Sequence, residues 1–72
     1  MDTLDGLKTI IAVVEMGSFT AASERLGISK ALASKYVGEV EQALGVRLFN
    51  RSTRRLSLTE AGRAYYEQAL PL

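Results

Sequence analysis

The sequence predicts a mainly α fold of three helices, a two-stranded hairpin and a fourth, C-terminal helix. Three observations lead there. Apolar residues recur at spacings of three and four in separate stretches, which is the helical period. Ser18, Ser29 and Thr59 stand where helices would start, and Gly17, Gly27 and Gly45 where they would stop. Arg51-Ser52-Thr53-Arg54-Arg55 is a polar, basic run between two short segments that alternate apolar with polar residues, the pattern of a β-hairpin. The chain has 72 residues. A domain of that size buries roughly 60% of its unfolded surface, so one small core is all it can support.

The elements follow in order. Residues 4–16 read as a helix on the stripe Leu4, Leu7, Ile11 and Val14, broadened by Ile10 and Val13. Gly17 ends it. Ser18 caps a short second helix that runs to Leu26, whose Ala21 and Ala22 let a neighbour come close. Gly27-Ile28-Ser29 is then a three-residue turn into a third helix over 30–44, capped by Ser29 and stopped by Gly45. A helix, a short glycine-containing turn and a second helix make the helix-turn-helix arrangement. Along the third helix Ala33, Val37, Val40 and Leu44 share the core face. Ala31, Lys35, Gly38 and Gln42 point away from it, with Ser34 at the edge. The strands fall within 46–50 and 56–58. Thr59 caps the last helix, with Glu60 in the first turn where the helix dipole favours an acid. Together these elements describe a winged helix-turn-helix over residues 1–58, followed by a C-terminal helix that begins within 59–72.

Composition narrows the function. Apolar residues make up 47% and charged residues 24%, which is globular rather than disordered. Cysteine and histidine are both absent, so a thiolate nucleophile, the commonest general base and the commonest metal ligand are missing. No two remaining groups form a recognisable catalytic pair, and no catalytic residue, metal or cofactor is expected. The longest apolar run, Ile10 to Val14, is far short of the ~20 residues that span a bilayer. Asp2 and Asp5 precede it, the wrong charge for a signal peptide. A cytoplasmic protein with no membrane partner is expected.

Net charge is only +1, but its distribution is uneven. Residues 25–35 carry +3 and residues 47–55 carry +4, between segments of −3, −2 and −1. The first basic patch sits on the outward face of the third helix, among small and hydroxylic residues. That surface suits the major groove of double-stranded DNA, where bulky acids would be repelled. The second patch is the hairpin tip, placed to reach phosphates or the adjacent minor groove.

Specific stretches then resemble a known family. Gly17-Ser18-Phe19-Thr20-Ala21-Ala22-Ser23 with Arg25-Leu26-Gly27-Ile28-Ser29 resembles the second helix and turn of LysR-type transcriptional regulators. Glu41 with Leu44-Gly45-Val46-Arg47-Leu48-Phe49-Asn50-Arg51 resembles the end of their recognition helix and first wing strand. Thr53 through Gly62 resembles their wing and the start of their linker helix. The resemblance covers nearly the whole chain. It implies the DNA-binding part of a longer regulator that pairs as a homodimer, or a tetramer at full length. A small-molecule effector would act only through a C-terminal domain absent from this chain. Where the family often carries Ser-Gln-Pro or Ser-Gln-Ser, this sequence has Ser29-Lys30-Ala31. Where Ser-Arg is usual, it has Ser34-Lys35, which keeps the charge without the bidentate fork that reads guanine. Tyr36 stands where glutamine or histidine is common.

The candidate DNA-contacting residues are Ser18, Thr20, Ser29, Lys30, Ala31, Ser34, Lys35, Arg51, Thr53, Arg54 and Arg55. Tyr65, Tyr66, Ala69 and Leu70 are candidates for a dimer seam. Ser18, Ser29 and Thr59 are first of all helix caps. Phe19, Leu48 and Phe49 read as core, Arg47 as a surface residue, and Arg25 as an ion-pair partner of Glu24 or of a neighbouring helix. The alternative to DNA binding is a winged helix that serves only protein interaction. Acids on the third helix's outward face would favour it, and Ala31, Ser34, Lys35 and Gly38 argue against it.

Overall fold

The computed structural model describes residues 3–51 and 56–70. The elements run α1 (Thr3–Met16), α2 (Phe19–Leu26), α3 (Lys30–Leu44), β1 (Phe49–Asn50), β2 (Ser57–Leu58) and α4 (Glu60–Ala69). The expected order and the mainly α winged architecture are present. All three expected caps form. The side chains of Ser18, Ser29 and Thr59 accept from the backbone N–H groups of Ala21, Leu32 and Gly62. Gly27 sits at φ 71°, a left-handed conformation that glycine adopts without a Cβ penalty, and this turns the chain from α2 into α3.

The core gathers Ile10, Ala12, Val13, Ala22, Val37, Val40, Leu48 and Phe49, with Phe19, Leu26, Leu58 and Tyr65 packed against it. On α1 the expected stripe is corrected. Leu4 is half exposed, and the fully buried positions are Ile10 and Val13, with Thr9 beside them. Helix α1 is covered by α2, α3 and α4 together, so its neighbours select the inward face rather than its largest side chains. The buried Thr9 hydroxyl is satisfied locally, donating to the Asp5 carbonyl at 2.7 Å. Leu44 is corrected likewise. It is 50% exposed, and the stripe on α3 is closed instead by Val40.

The hairpin is shorter than expected. Its two strands pair antiparallel, with Phe49 opposite Leu58 and Asn50 opposite Ser57. Residues 46–48 do not join it because their backbone is engaged elsewhere. The Leu48 N–H donates to Glu41 Oε2 at 2.7 Å, and the Leu48 carbonyl accepts from the Thr59 N–H at 3.1 Å. Helix α4 packs close over this point. At Gly62 an added Cβ would overlap the Leu48 carbonyl oxygen, so only glycine fits there.

Candidate nucleic-acid interface

Helix α3 leaves Lys30, Ala31, Ser34 and Lys35 exposed; Ala31 and Lys35 lie on the side away from buried Ala33, Val37 and Val40, with Ser34 at the edge and Lys30 at the helix start. The helical period and the apolar stripe make this orientation obligatory. Ser29, exposed as well, fixes where the helix begins by accepting from Leu32 N–H at 3.0 Å. Its cap geometry therefore sets the position of every outward residue in the first two turns.

A groove beside the start of α3 brings together four of the expected contact residues. Ser18, Thr20, Lys30 and Arg51 line it, with Gly17, Phe19 and Leu56. The N-terminus of α2 opens on this groove, and its partial positive charge adds to that of the two cations. Ser18 spends one lone pair on the α2 cap, accepting from Ala21 N–H at 3.2 Å. Thr20 is exposed. Thr53, Arg54 and Arg55 lie outside the described residues.

Arg51 is held rather than free. Its guanidinium donates to Glu41 Oε1 at 3.3 Å and lies 4.9 Å above the Phe19 ring centre. Phe19 in turn meets Phe49 edge-to-face, the ring centres 5.8 Å apart. Glu41 is 8% exposed, and its other oxygen accepts from the N–H groups of Leu48 and Phe49. This one carboxylate ties α3 to the root of the wing and holds Arg51, which in turn lies over α2's first residue. Sequence reasoning gave Glu41 no role of its own. Its only signal was its place in the stretch from Glu41 to Arg51, four residues before the Gly45 stop.

Arg25 pairs with Glu15 on α1 at 2.8 Å, the neighbouring-helix alternative of the two considered. Of the candidate dimer residues, Ala69 is buried in the domain and Tyr65 packs against its core. Tyr66 is half-buried and Leu70 exposed, so these two are the outward members. Burial raises the Tyr65 phenol above its ordinary value.

The family model for bacterial regulatory helix-turn-helix proteins of the lysR family matches residues 4–63. A helix-turn-helix transcriptional repressor of Pseudomonas aeruginosa is 50% identical over 68 residues, covering 94% of this chain and 22% of that protein. The transcriptional activator AaeR of Escherichia coli is 48% identical over 67 residues, covering 93% of this chain and 22% of its own length. The chain thus spans about a fifth of the length of these curated relatives. Among solved structures, the BenM DNA-binding domain in complex with a catB site superposes with a TM-score of 0.91 at 34% identity, covering 99% of this chain and 79% of that one. The CbnR DNA-binding domain in complex with DNA gives 0.87 at 39% identity, covering 99% and 80%.

Proposed function

This chain belongs to the lysR family of bacterial regulatory helix-turn-helix proteins, and from that premise we propose that it is the DNA-binding domain of a longer transcriptional regulator. Helix α3 enters the major groove with Ala31, Ser34 and Lys35 toward the base edges. Ser18, Thr20, Ser29, Lys30 and Arg51 meet backbone phosphates, and Thr53, Arg54 and Arg55 carry the wing onto the backbone or into the adjacent minor groove. Residues 1–58 act as the DNA-binding unit. Residues 59–72 begin the linker helix through which two copies pair, and an effector acts through the part of the protein beyond this chain, in the cytoplasm.

The observation that carries the reading is the outward face of α3. The fold leaves Lys30, Ala31, Ser34 and Lys35 exposed beside a groove lined by Arg51 and the N-terminus of α2. The test begins with duplexes selected from a random pool, followed by anisotropy titrations at several salt concentrations. Lys35→Ala and Ser34→Ala should lower the ratio of specific to non-specific affinity by about tenfold, the scale of one good base contact. Lys30→Ala and Arg54→Ala should weaken binding to all duplexes evenly and flatten the salt slope by about 0.9 per phosphate lost. Absence of binding to any duplex at about 50 mM salt, where phosphate contacts are strong, would overturn the reading.

A further inference from the structure

Gly38 stands in the middle of α3, the ninth of fifteen helical residues. Glycine is a poor choice there, because it costs backbone entropy that alanine does not. The fold itself gives no reason for it. Its backbone is not left-handed, since the positive-φ glycines among the described residues are Gly17, Gly27 and Gly45. Nor is it a point of close packing. Beyond its two chain neighbours and the helix's own nearby backbone, no heavy atom of the described residues lies within 4 Å of the place a Cβ would occupy. Gly62 is the contrast, because there the fold itself excludes a side chain.

The space at Gly38 opens toward a charged groove. Gly38 belongs to the outward stripe of Ala31, Lys35 and Gln42, and it lines a groove with Gln42, Gly45, Val46, Arg47 and Arg51. Glu41 borders the same groove, but its oxygens are taken up by the Leu48 and Phe49 N–H groups and by Arg51. On the α3 side Gly38 leaves a gap beside Glu41 and Gln42, and the chain after the helix brings two arginines to the groove, Arg47 exposed and Arg51 partly so.

We propose that Gly38 is a clearance residue: it lets one phosphate of the DNA backbone seat against the middle turn of α3, where Arg47 and Arg51 neutralise it. The inference rests on the DNA-binding reading and adds a seat to it. It also gives Arg47, expected to be a plain surface residue, a share in binding. Guanidinium groups suit this role because their planar fork matches phosphate oxygens. A methyl group at position 38 would hold the phosphate away from both.

The test uses the full 72-residue chain, a short duplex of mixed sequence, and salt titrations beginning at about 50 mM, where backbone contacts dominate. Gly38→Ala should raise the thermal midpoint by about 4 °C, because it improves helix propensity in open space. The same variant should bind about tenfold more weakly, the loss of one charge-assisted contact. Its salt slope should fall by about 0.9, one phosphate, and Arg47→Ala should lower the slope by the same amount. In the double variant the slope should fall no further than in either single one, since both remove the same contact. A Gly38→Ala chain that binds as tightly as the wild type, or melts lower, or shows slope losses that add to those of Arg47→Ala, would overturn the proposal alone. A wild-type chain that binds no duplex would take down the DNA-binding reading together with it.

Discussion

At the level of single residues, Glu41 joins more of the molecule than any charged neighbour described. It accepts from two backbone N–H groups and from Arg51 while 8% exposed. Removing it strands two buried donors and one guanidinium. Glu41→Ala should cost about 3 kcal/mol. That approaches the entire stability of about 3–5 kcal/mol expected of one core of this size. Urea denaturation checks it, and a loss well below 1 kcal/mol would show that the wing root holds without the carboxylate. The Arg25–Glu15 pair is different, because both side chains stand largely in water, at 52% and 39% exposure. An exposed pair contributes about 0–1 kcal/mol, so Glu15→Ala should scarcely move the same curve. Tyr65 provides a pH signature. Burial raises its phenol above the ordinary value of 10.0, so the folded state favours the neutral ring. That contribution is fully present below pH 10 and is lost as the pH climbs through the raised value. Above pH 10 the stability of Tyr65→Phe should therefore fall less steeply than that of the wild type, measured by denaturation at a series of alkaline pH values. An ion pair from Arg25 to a neighbouring helix was one of two alternatives its sequence offered, whereas the role of Glu41 was not legible. A glutamate on a helix flank reads as solvated until the chain that folds over it, seven residues later, supplies its donors.

At the level of elements, the caps and stops were legible and the contacts between elements were not. Ser18, Ser29 and Thr59 bond to groups three residues away, so their roles follow from local sequence. Ser29→Ala should cost about 1 kcal/mol of stability, a typical loss for an N-cap. It should also weaken DNA binding, because the first turn of α3 carries Lys30 and Ala31; thermal melts and titrations on one sample check both. Thr59 does more than cap. Its hydroxyl also donates to the Arg47 carbonyl at 2.5 Å, which pins the start of α4 to the chain entering β1. Gly62 completes that junction, since the Leu48 carbonyl and the Leu58 side chain, 2.9 Å from an added Cβ, leave no room for one. Gly62→Ala should therefore destabilise by about 2 kcal/mol, because overpacking against backbone outweighs the gain in helix propensity. Calorimetric melting checks the sign. An increase in the midpoint would mean that α4 shifts freely over the wing root.

At the level of the whole molecule, α4 is divided between two tasks. Its Gly62, Tyr65 and Ala69 side packs on the domain, which leaves Tyr66 and Leu70 as the outward members of the expected dimer seam. That is little apolar surface for a stable pair, and isolated helices of about 12–15 residues are marginal in water. The 72-residue chain should therefore sediment as a monomer at micromolar concentration and as two protomers on a symmetric duplex, where adjacent half-sites hold the copies together. One protomer per duplex at saturation would exclude pairing through α4. No helix among the described residues is long and apolar enough to cross a membrane.

By itself the sequence determined the number and order of the helices, their capped starts and glycine stops, the turn between α2 and α3, and which face of α3 is outward. Each depends on residues within about one helical turn of one another, where periodicity, caps and glycine stops act directly. Tertiary structure decided the rest. It chose Ile10 and Val13 over Leu4 as the inward face of α1, because three helices close around that side. It shortened the strands to Phe49–Asn50 and Ser57–Leu58, because Glu41 and Thr59 engage the backbone of Leu48 first. It also turned Arg51 from a free wing cation into one stacked on Phe19 and paired with Glu41. Those outcomes depend on groups seven or more residues apart that meet only after the chain has folded, and a carboxylate or a glycine shows nothing of such a partner in its local sequence.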